Sequence, residues 1–382
     1  MIKVLHLITS LDTGGAEITL RRLLSRFDRK KFQNIVVSLT CDGPVAAQIR
    51  ELGVPVHVIG MRRGVPSLSG LWLLWRLICR EQPSILQTWL YHSDLVGYFL
   101  GRAARVNSIV WNIRCADTGD MYTKGIRRLT FKALVHFSPR IDTIIANSYA
   151  GRAHHEACGY LSSHWQVVPN GYDTEQLRPQ AAARTWLIGE ADLESDDVII
   201  GIVARFDPLK GHEIFLQAAS MFAASRRRVK FVMVGSGLDE SNTNLMALID
   251  KYGVRERVRL LGERTDISRV MSGFDIAACT SHSEGFPNMV AEAMACGIPC
   301  VATNVGDVER LMDGTGWLVP AGNPAAVTAA WKEAADLSPA LRQRVGEEAR
   351  RRIVERYSLD ATTLRYEEIY SALAETSSSR LA

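Results

Sequence analysis

Val198-Ile199-Ile200-Gly201-Ile202-Val203-Ala204, followed at once by Arg205-Phe206-Asp207-Pro208-Leu209-Lys210-Gly211, is the stretch on which the fold turns. An unbroken apolar run rich in Val and Ile, with no alternation of polar residues, reads as a strand buried on both faces. Such strands belong to parallel sheets covered by helices on each side. Glu213–Ala224 then reads as a helix. In a doubly wound sheet, ligands bind at the carboxyl ends of strands, so Arg205 and Lys210 project into that crevice. A guanidinium offers a forked contact and an ammonium a point charge, a combination suited to a diphosphate. The plainer reading is two solvated cations on a loop.

Outward from this stretch the same logic repeats. Lys230–Val234, Val258–Leu261, Ile276–Ala278, Cys300–Ala302 and Gly316–Val319 read as further strands, with helices over Pro287–Ala295 and Pro324–Leu337. Toward the amino terminus, Lys3–Thr9, Asn34–Leu39, Val56–Ile59, Ser84–Thr88, Ser108–Ile113 and Thr143–Ala146 are short apolar strands. A helix begins near Ala16, and Leu71–Arg80 is amphipathic. The chain is therefore α/β, with two Rossmann-like, doubly wound parallel-sheet domains. Val167-Val168-Pro169-Asn170-Gly171-Tyr172-Asp173 marks the seam, a strand running into a turn. The expected domains are 1–175 and 176–357. A segment 358–382 follows, with a closing helix over Leu359–Leu373 and a Ser-rich tail that frays after Glu375.

Composition narrows the class. Of 382 residues, 47% are hydrophobic and 23% charged, a globular rather than a disordered balance. No apolar run reaches the ~18 residues of a membrane helix. The first residues lack a signal-peptide cleavage site, so a cytoplasmic location is expected. Seven cysteines without paired spacing argue against a disulfide framework. Cys296 and Cys300 read as buried thiols rather than metal ligands. The net charge of +4 is uneven, because residues 1–175 carry 21 Lys+Arg against 13 Asp+Glu. A basic first half suits an anionic partner or is simply a solvated surface. No zinc-finger or RNA-binding signature points to nucleic acid.

Two more segments carry chemistry. Gly14-Gly15 lies between the first strand and the first helix, where glycine permits close backbone approach and the helix start offers free N–H groups. Glu284-Gly285-Phe286-Pro287-Asn288-Met289-Val290-Ala291-Glu292 places one acid in a loop and a second inside the following helix. Pro287 suits the first helical turn, and the N–H groups of Gly285–Asn288 can face an anion. Glu292 stands in an otherwise apolar run, where a carboxylate needs partners, and sugar hydroxyls are suitable ones. Its plainer reading is a structural ion pair.

Together these motifs resemble family 4 glycosyltransferases of the GT-B fold. The resemblance rests on Gly14-Gly15-Ala16-Glu17, Val168–Asp173, Arg205 with Lys210-Gly211, Val234-Gly235-Ser236-Gly237, Leu261-Gly262 and the pair Glu284/Glu292. Gln87-Thr88-Trp89-Leu90-Tyr91-His92 and Val110-Trp111-Asn112-Ile113-Arg114 are similar to a bacterial subgroup acting on surface glycans. The resemblance implies two domains facing across a cleft, a nucleotide-sugar donor, retention of anomeric configuration, and no metal or other cofactor. It gives Arg205 and Lys210 the donor diphosphate, Glu292 the ribose, and Glu284 with Gly285, Phe286, Pro287 and Asn288 the donor sugar. Gly14 and Gly15 would approach the sugar and phosphate, and Arg264 and Thr265 the nucleobase, mainly through backbone. Many relatives carry a histidine after the strand that here ends at Ile113. This chain has Arg114 there, and His92, read as a loop residue, is the alternative.

The donor is UDP-, GDP- or ADP-linked. The acceptor is a glycan or a polyprenyl-linked molecule. Leu71–Arg76 reads first as core packing, whereas Lys124–Lys132 mixes basic and apolar residues as an interfacial helix does. That admits peripheral contact with an anionic membrane at the inner face. Rival readings are a nucleotide-sugar epimerase of the same fold and a non-catalytic sugar-nucleotide-binding scaffold.

Overall fold

The computed structural model describes residues 1–62, 67–114 and 125–381, the final few by backbone alone. Cys115 and Lys124 lie outside the described residues. The chain divides into two compact units. Unit 1 is Met1–Gly171 with Leu359 onward, and unit 2 is Tyr172–Ser358.

Unit 1 contains strands β1 (Ile2–Ile8), β2 (Phe32–Ser38), β3 (Val56–Val58), β4 (Ile85–Trp89), β5 (Ser108–Ile113), β6 (Thr143–Ala146) and β7 (Trp165–Val167). All pair in parallel in the order β3-β2-β1-β4-β5-β6-β7. Its helices are α1 (Gly15–Leu24), α2 (Pro44–Glu51), α3 (Leu68–Glu81), α4 (Tyr91–Ala103), α5 (Gly125–Phe137) and α6 (Tyr149–Ala157). Unit 2 runs α7 (Ala183–Glu190), β8 (Val198–Val203), α8 (His212–Ser225), β9 (Val229–Val234), α9 (Thr243–Lys251), β10 (Val258–Leu260), α10 (Ile267–Ser272) and β11 (Ile276–Cys279). It continues with α11 (Asn288–Ala295), β12 (Cys300–Thr303), α12 (Val308–Met312), β13 (Gly316–Val319), α13 (Pro324–Asp336) and α14 (Pro339–Arg356). Its sheet is parallel throughout, ordered β10-β9-β8-β11-β12-β13. The strand order reverses direction between β1 and β4 in one unit and between β8 and β11 in the other. Those reversals open the crevices where such sheets bind ligands.

The two-residue period of a strand divides each core. In β1, Val4 and Ile8 pack with α1 and α2, while Leu5 and Leu7 pack with α3 on the opposite face. In β8, Ile199 joins one cluster and Ile200 and Ile202 the other. This explains the continuous apolar run in the sequence, since neither face of the strand meets water.

The closing helix α15 runs Leu359–Leu381, longer than the 359–373 reading. It belongs to unit 1. Tyr366 and Tyr370 are fully buried there. The Asn112 side-chain amide donates to the Tyr366 hydroxyl at 2.9 Å, and Trp89 stacks on the Tyr366 ring at 6.5 Å. The Tyr370 hydroxyl donates to Gln87. Gln87, Trp89 and Asn112, which read as subgroup signatures, are thus the seat of α15.

The expectation of core packing for Leu71–Arg76 holds for Leu71 and Leu74 and is corrected for the rest. Gly70, Leu74, Leu77 and Ile78 form the buried side of α3, while Trp72, Leu73 and Trp75 are exposed. A helix has room for only one inward stripe, and residues spaced as 70, 74, 77 and 78 take it. Among the described residues no helix is long and apolar enough to cross a membrane. The six described cysteines are free thiols, with Cys296 and Cys300 buried.

Unit 1 also encloses two neutral histidines. His6 Nε2 meets Asn34 Oδ1 at 3.0 Å, and His155 Nε2 meets the Tyr91 hydroxyl at 2.8 Å. Burial lowers both from the usual 6.5 to about 4. Unfolded histidine takes a proton near pH 6.5 and these resist until about 4, so their stabilisation is complete above 6.5 and is lost as pH falls toward 4. Burial pushes the Asp94 carboxyl well up, which acts in the opposite sense. Replacing His6 by Gln is therefore expected to flatten the acid side of the stability curve between pH 6.5 and 4, by up to about 3 kcal/mol across the window. Urea unfolding at stepped pH measures it, and an unchanged slope contradicts the assignment of His6 as a buried neutral base.

Candidate functional site

The crevice between β8 and β11 is built from two loops laced together. After β8 the chain turns through 205–211. The Asp207 carboxylate caps the short 3-10 turn Pro208–Lys210, accepting from the Leu209 N–H at 2.9 Å. Its other oxygen accepts from the Arg205 Nε and Nη2 at 3.0 and 2.9 Å. The Leu209 N–H and then the Arg205 cation hold the Asp207 carboxyl below the usual carboxylate range. Gly211 closes the turn with φ +65, and a Cβ there would sit 2.0 Å from the Thr280 carbonyl oxygen. Only glycine permits this approach. The Thr280 hydroxyl donates to the Lys210 and Gly211 carbonyls at 3.2 and 3.0 Å. The His282 N–H donates to the Leu209 carbonyl at 2.8 Å.

This lacing brings Lys210 to Glu284. Lys210 Nζ donates to Glu284 Oε1 at 2.7 Å, and the Ser281 hydroxyl donates to the same oxygen at 2.7 Å. The two side chains are only 25% and 11% exposed. Glu284 Oε2 has no protein partner among the described residues, so it remains an acceptor for a ligand hydroxyl. Gly306, at φ +57, packs against the Glu284 carbonyl, where a Cβ would come within 2.1 Å. The Thr303 hydroxyl donates to the Ser281 carbonyl at 2.7 Å. A 3-10 turn on one side and β12 with its following loop on the other thus fix the acid.

Arg205, Lys210, Glu284 and Glu292 line one cavity of about 320 Å³, together with the ends of β8 and β11, Asn288 and Met289. This is the crevice the strand order requires. Glu292 is half-buried on α11, where Val290, Ala291 and Ala293 turn into the core. Two cations and two carboxylates in one pocket can hold a doubly charged group through the first pair and hydroxyls through the second.

Not every expected residue reaches that cavity. Phe286 is a core residue, stacked on Tyr172 at 6.3 Å, so only its backbone is left for a ligand. Pro287 precedes α11 as its N-cap, and the helix starts at Asn288, which accepts from the Tyr172 hydroxyl at 2.6 Å. Gly285, half-buried, and Pro287, buried, do not line the cavity. Arg264 is tied to Asp266 at 2.8 Å and Glu190 at 2.7 Å, and neither it nor exposed Thr265 lines the cavity. A guanidinium flanked by two acids satisfies its charge locally.

Four expected residues belong to unit 1. Gly14 is the N-cap of α1, and Gly15 is its first residue, with open space where a Cβ would stand. Arg114 donates to Thr19 Oγ1 at 2.9 Å and to Asn170, and lies 5.8 Å over the Trp89 ring. These contacts tie the end of β5 to α1. His92 is not a loop residue. Leu90, at φ +74, turns the chain so sharply off β4 that α4 begins at Tyr91, leaving His92 exposed in its first turn. Asp207, Thr280 and Ser281 were missed by sequence reasoning. The N-cap signal of Asp207 before Pro208 was legible, whereas Thr280 and Ser281 act only through loops distant in sequence.

Comparison with known proteins gives the family and the fold. Residues 197–336 match the family model for Glycosyl transferases group 1, and residues 13–176 match that for Glycosyltransferase Family 4. A D-inositol 3-phosphate glycosyltransferase from a Mycobacterium species is 40% identical over 159 residues, covering 40% of this chain and 35% of that protein. The chain thus spans well under half the length of that relative. A putative glycosyltransferase of Bacillus subtilis, EpsF, is 25% identical over 315 residues, covering 79% of each chain. Among solved structures, Anabaena HepE in complex with UDP superposes with a TM-score of 0.84 at 22% identity, covering 97% of this chain and 100% of its own. HepE has also been solved with UDP-glucose. That likeness establishes the GT-B fold.

Gly211→Ala is expected to destabilise unit 2 by about 1–3 kcal/mol, since a side chain at positive φ meets a carbonyl. Gly15→Ala, with open space around it, is expected to leave unit 1 nearly unchanged. Denaturant melts of both variants give the comparison, and equal effects count against the loop lacing.

Proposed function

The chain belongs to the family 4, group 1 glycosyltransferases, and we propose that it moves a sugar from a nucleotide-sugar donor, held in the pocket of unit 2, to a glycan or polyprenyl-linked acceptor. The observation that carries this reading is the convergence of Arg205, Lys210, Glu284 and Glu292 on one cavity at the β8/β11 crevice. Lys210 and Arg205 take the diphosphate. Glu292 accepts from the ribose hydroxyls, and Glu284 Oε2 from a hydroxyl of the transferred sugar. The HepE complexes make UDP-linked sugars the first donors to test, with GDP- and ADP-sugars beside them.

We assign retention of anomeric configuration. The bond from the anomeric carbon to the phosphate oxygen breaks through an oxocarbenium-like state. The acceptor oxygen bonds to the same face, and its proton passes to the departing phosphate. Negative charge growing on that phosphate is met by preorganised cations and by N–H groups at the start of α11, in place of a metal ion. A pocket with fixed charges needs little reorganisation as the charge develops. Lys210 keeps two of its three N–H donors for the phosphate while the third holds Glu284.

Acceptor recognition falls to the basic unit 1. The subgroup resemblance points to bacterial surface-glycan synthesis, with the enzyme working peripherally at an anionic membrane. His92 and Arg114 differ here. Arg114 reaches Thr19 and Asn170 and His92 is exposed, and we assign both to contact with a substrate.

A matching donor at a hundred times its dissociation constant is expected to stabilise the protein by roughly 2.7 kcal/mol, visible as a thermal shift. Lys210→Ala and Glu292→Ala are each expected to weaken donor binding at least tenfold, since hydrogen bonds to charged groups contribute about 1.5–3 kcal/mol. Glu284→Ala is expected to abolish most turnover. Unchanged turnover in both Arg205→Ala and Glu284→Ala rejects the assignment. Hydrolysis or isomerisation of donor alone, without transfer, favours an epimerase. The anomeric coupling of the product, read by NMR, tests retention.

A further inference from the structure

We infer that the outward side of α3 is a docking surface for an anionic lipid bilayer. It takes its purpose from the lipid-linked acceptor proposed above, while its geometry stands by itself. Helix α3 is apolar on both sides. Its inner stripe, Gly70, Leu74, Leu77 and Ile78, is buried against unit 1. Its outer side carries Leu68 at 88%, Trp72 at 54%, Leu73 at 46% and Trp75 at 38% exposure. Leu68, Trp72 and Trp75 follow the i, i+4, i+7 spacing of one helical stripe. Two indoles and two leucines held in water on one short helix mark an interaction surface, because isolated exposed apolar residues do not cluster this way.

Charge and side-chain chemistry choose the occupant. The Arg76 guanidinium lies 4.7 Å over the Trp72 ring, so a cation is fixed among the indoles. Arg80 continues the outer side one turn later. The acid of this helix, Glu81, is matched by both Lys3 at 3.5 Å and Arg80 at 2.8 Å. Burial of indole bodies beside exposed guanidinium groups is the chemistry of the bilayer interface, where tryptophan sits at headgroup depth and arginine meets phosphate. A protein partner of the same size would leave these guanidinium groups to be desolvated, while phosphodiester headgroups pair with them. The neighbouring layer carries the same mixture. Helix α4 packs between α3 and α5, and α5 exposes Ile126 and Leu129 beside Arg127 and Arg128.

Sedimentation of the full chain with vesicles tests this. Vesicles containing a third phosphatidylglycerol are expected to bind the protein at low salt and to shift its tryptophan emission to the blue. Pure phosphatidylcholine vesicles are expected to bind it at least tenfold more weakly. The double variant Trp72→Ala/Trp75→Ala should lose the emission shift and at least tenfold in binding. Arg76→Ala/Arg80→Ala should lose the preference for anionic vesicles. The donor-induced thermal shift should persist in both, which confirms that they are folded and separates this test from that of the donor pocket. Wild-type protein that ignores anionic vesicles, or variants that bind as well as wild type, overturn the proposal. A wild-type dimer that the tryptophan variant converts to monomer, with no vesicle binding, overturns it in favour of a second copy of the chain. Loss of the donor shift in wild type would instead count against the proposed donor.

Discussion

The contact between Lys210 Nζ and Glu284 Oε1 is possible only because two loops, far apart in sequence, are locked backbone to backbone. Gly211 lies against the Thr280 carbonyl where any side chain would collide, and Thr280 returns two hydrogen bonds to that turn. The lock sits where the strand order reverses, so it needs β8 and β11 to be neighbours in the sheet. The pair is mostly shielded from water, which strengthens its attraction but raises the cost of leaving either charge alone. A ligand that brings its own charges and hydroxyls finds both side chains already oriented, with donors and an acceptor left over. Positioning of this kind is how a pocket recognises a charged leaving group without reorganising.

Much of this architecture was legible in the sequence because parallel strands buried on both faces leave continuous Val- and Ile-rich runs. Strand β6 was read to the residue at Thr143–Ala146 and β13 at Gly316–Val319. Helix starts were less visible. Helix α4 follows a strained residue, Leu90, whose positive φ no propensity foretells, and so His92 was placed on a loop. Arg205 and Lys210, read from their place after a strand, and Glu284 and Glu292, read from their spacing, line one cavity. The side chains of Phe286 and Arg264 have tertiary partners that the sequence does not show: Tyr172 for one, Asp266 and Glu190 for the other. Ser281 and Thr280 were invisible because their partners lie in other loops.

Unit 1 shows the same economy with a different purpose. Its most recognisable motifs lie around Gln87–Trp89 and Trp111–Arg114. They bind the aromatic side of α15 and the start of α1. A motif that appears functional in sequence can owe its residue types to the seating of a distant helix. What unit 1 turns outward is basic and, on α3, apolar, which under the proposed function divides the labour between a unit that grips the donor and a unit that addresses a surface.

The central claim is that the four charged side chains of unit 2 hold a nucleoside diphosphate-linked sugar. A crystal structure of the chain with UDP or UDP-glucose tests it most directly. The account requires the diphosphate against Arg205 and Lys210, the ribose hydroxyls on Glu292, and a sugar hydroxyl within hydrogen-bond distance of Glu284 Oε2. A nucleotide bound elsewhere, with the Lys210–Glu284 pair untouched and the cavity filled only by water, would contradict it.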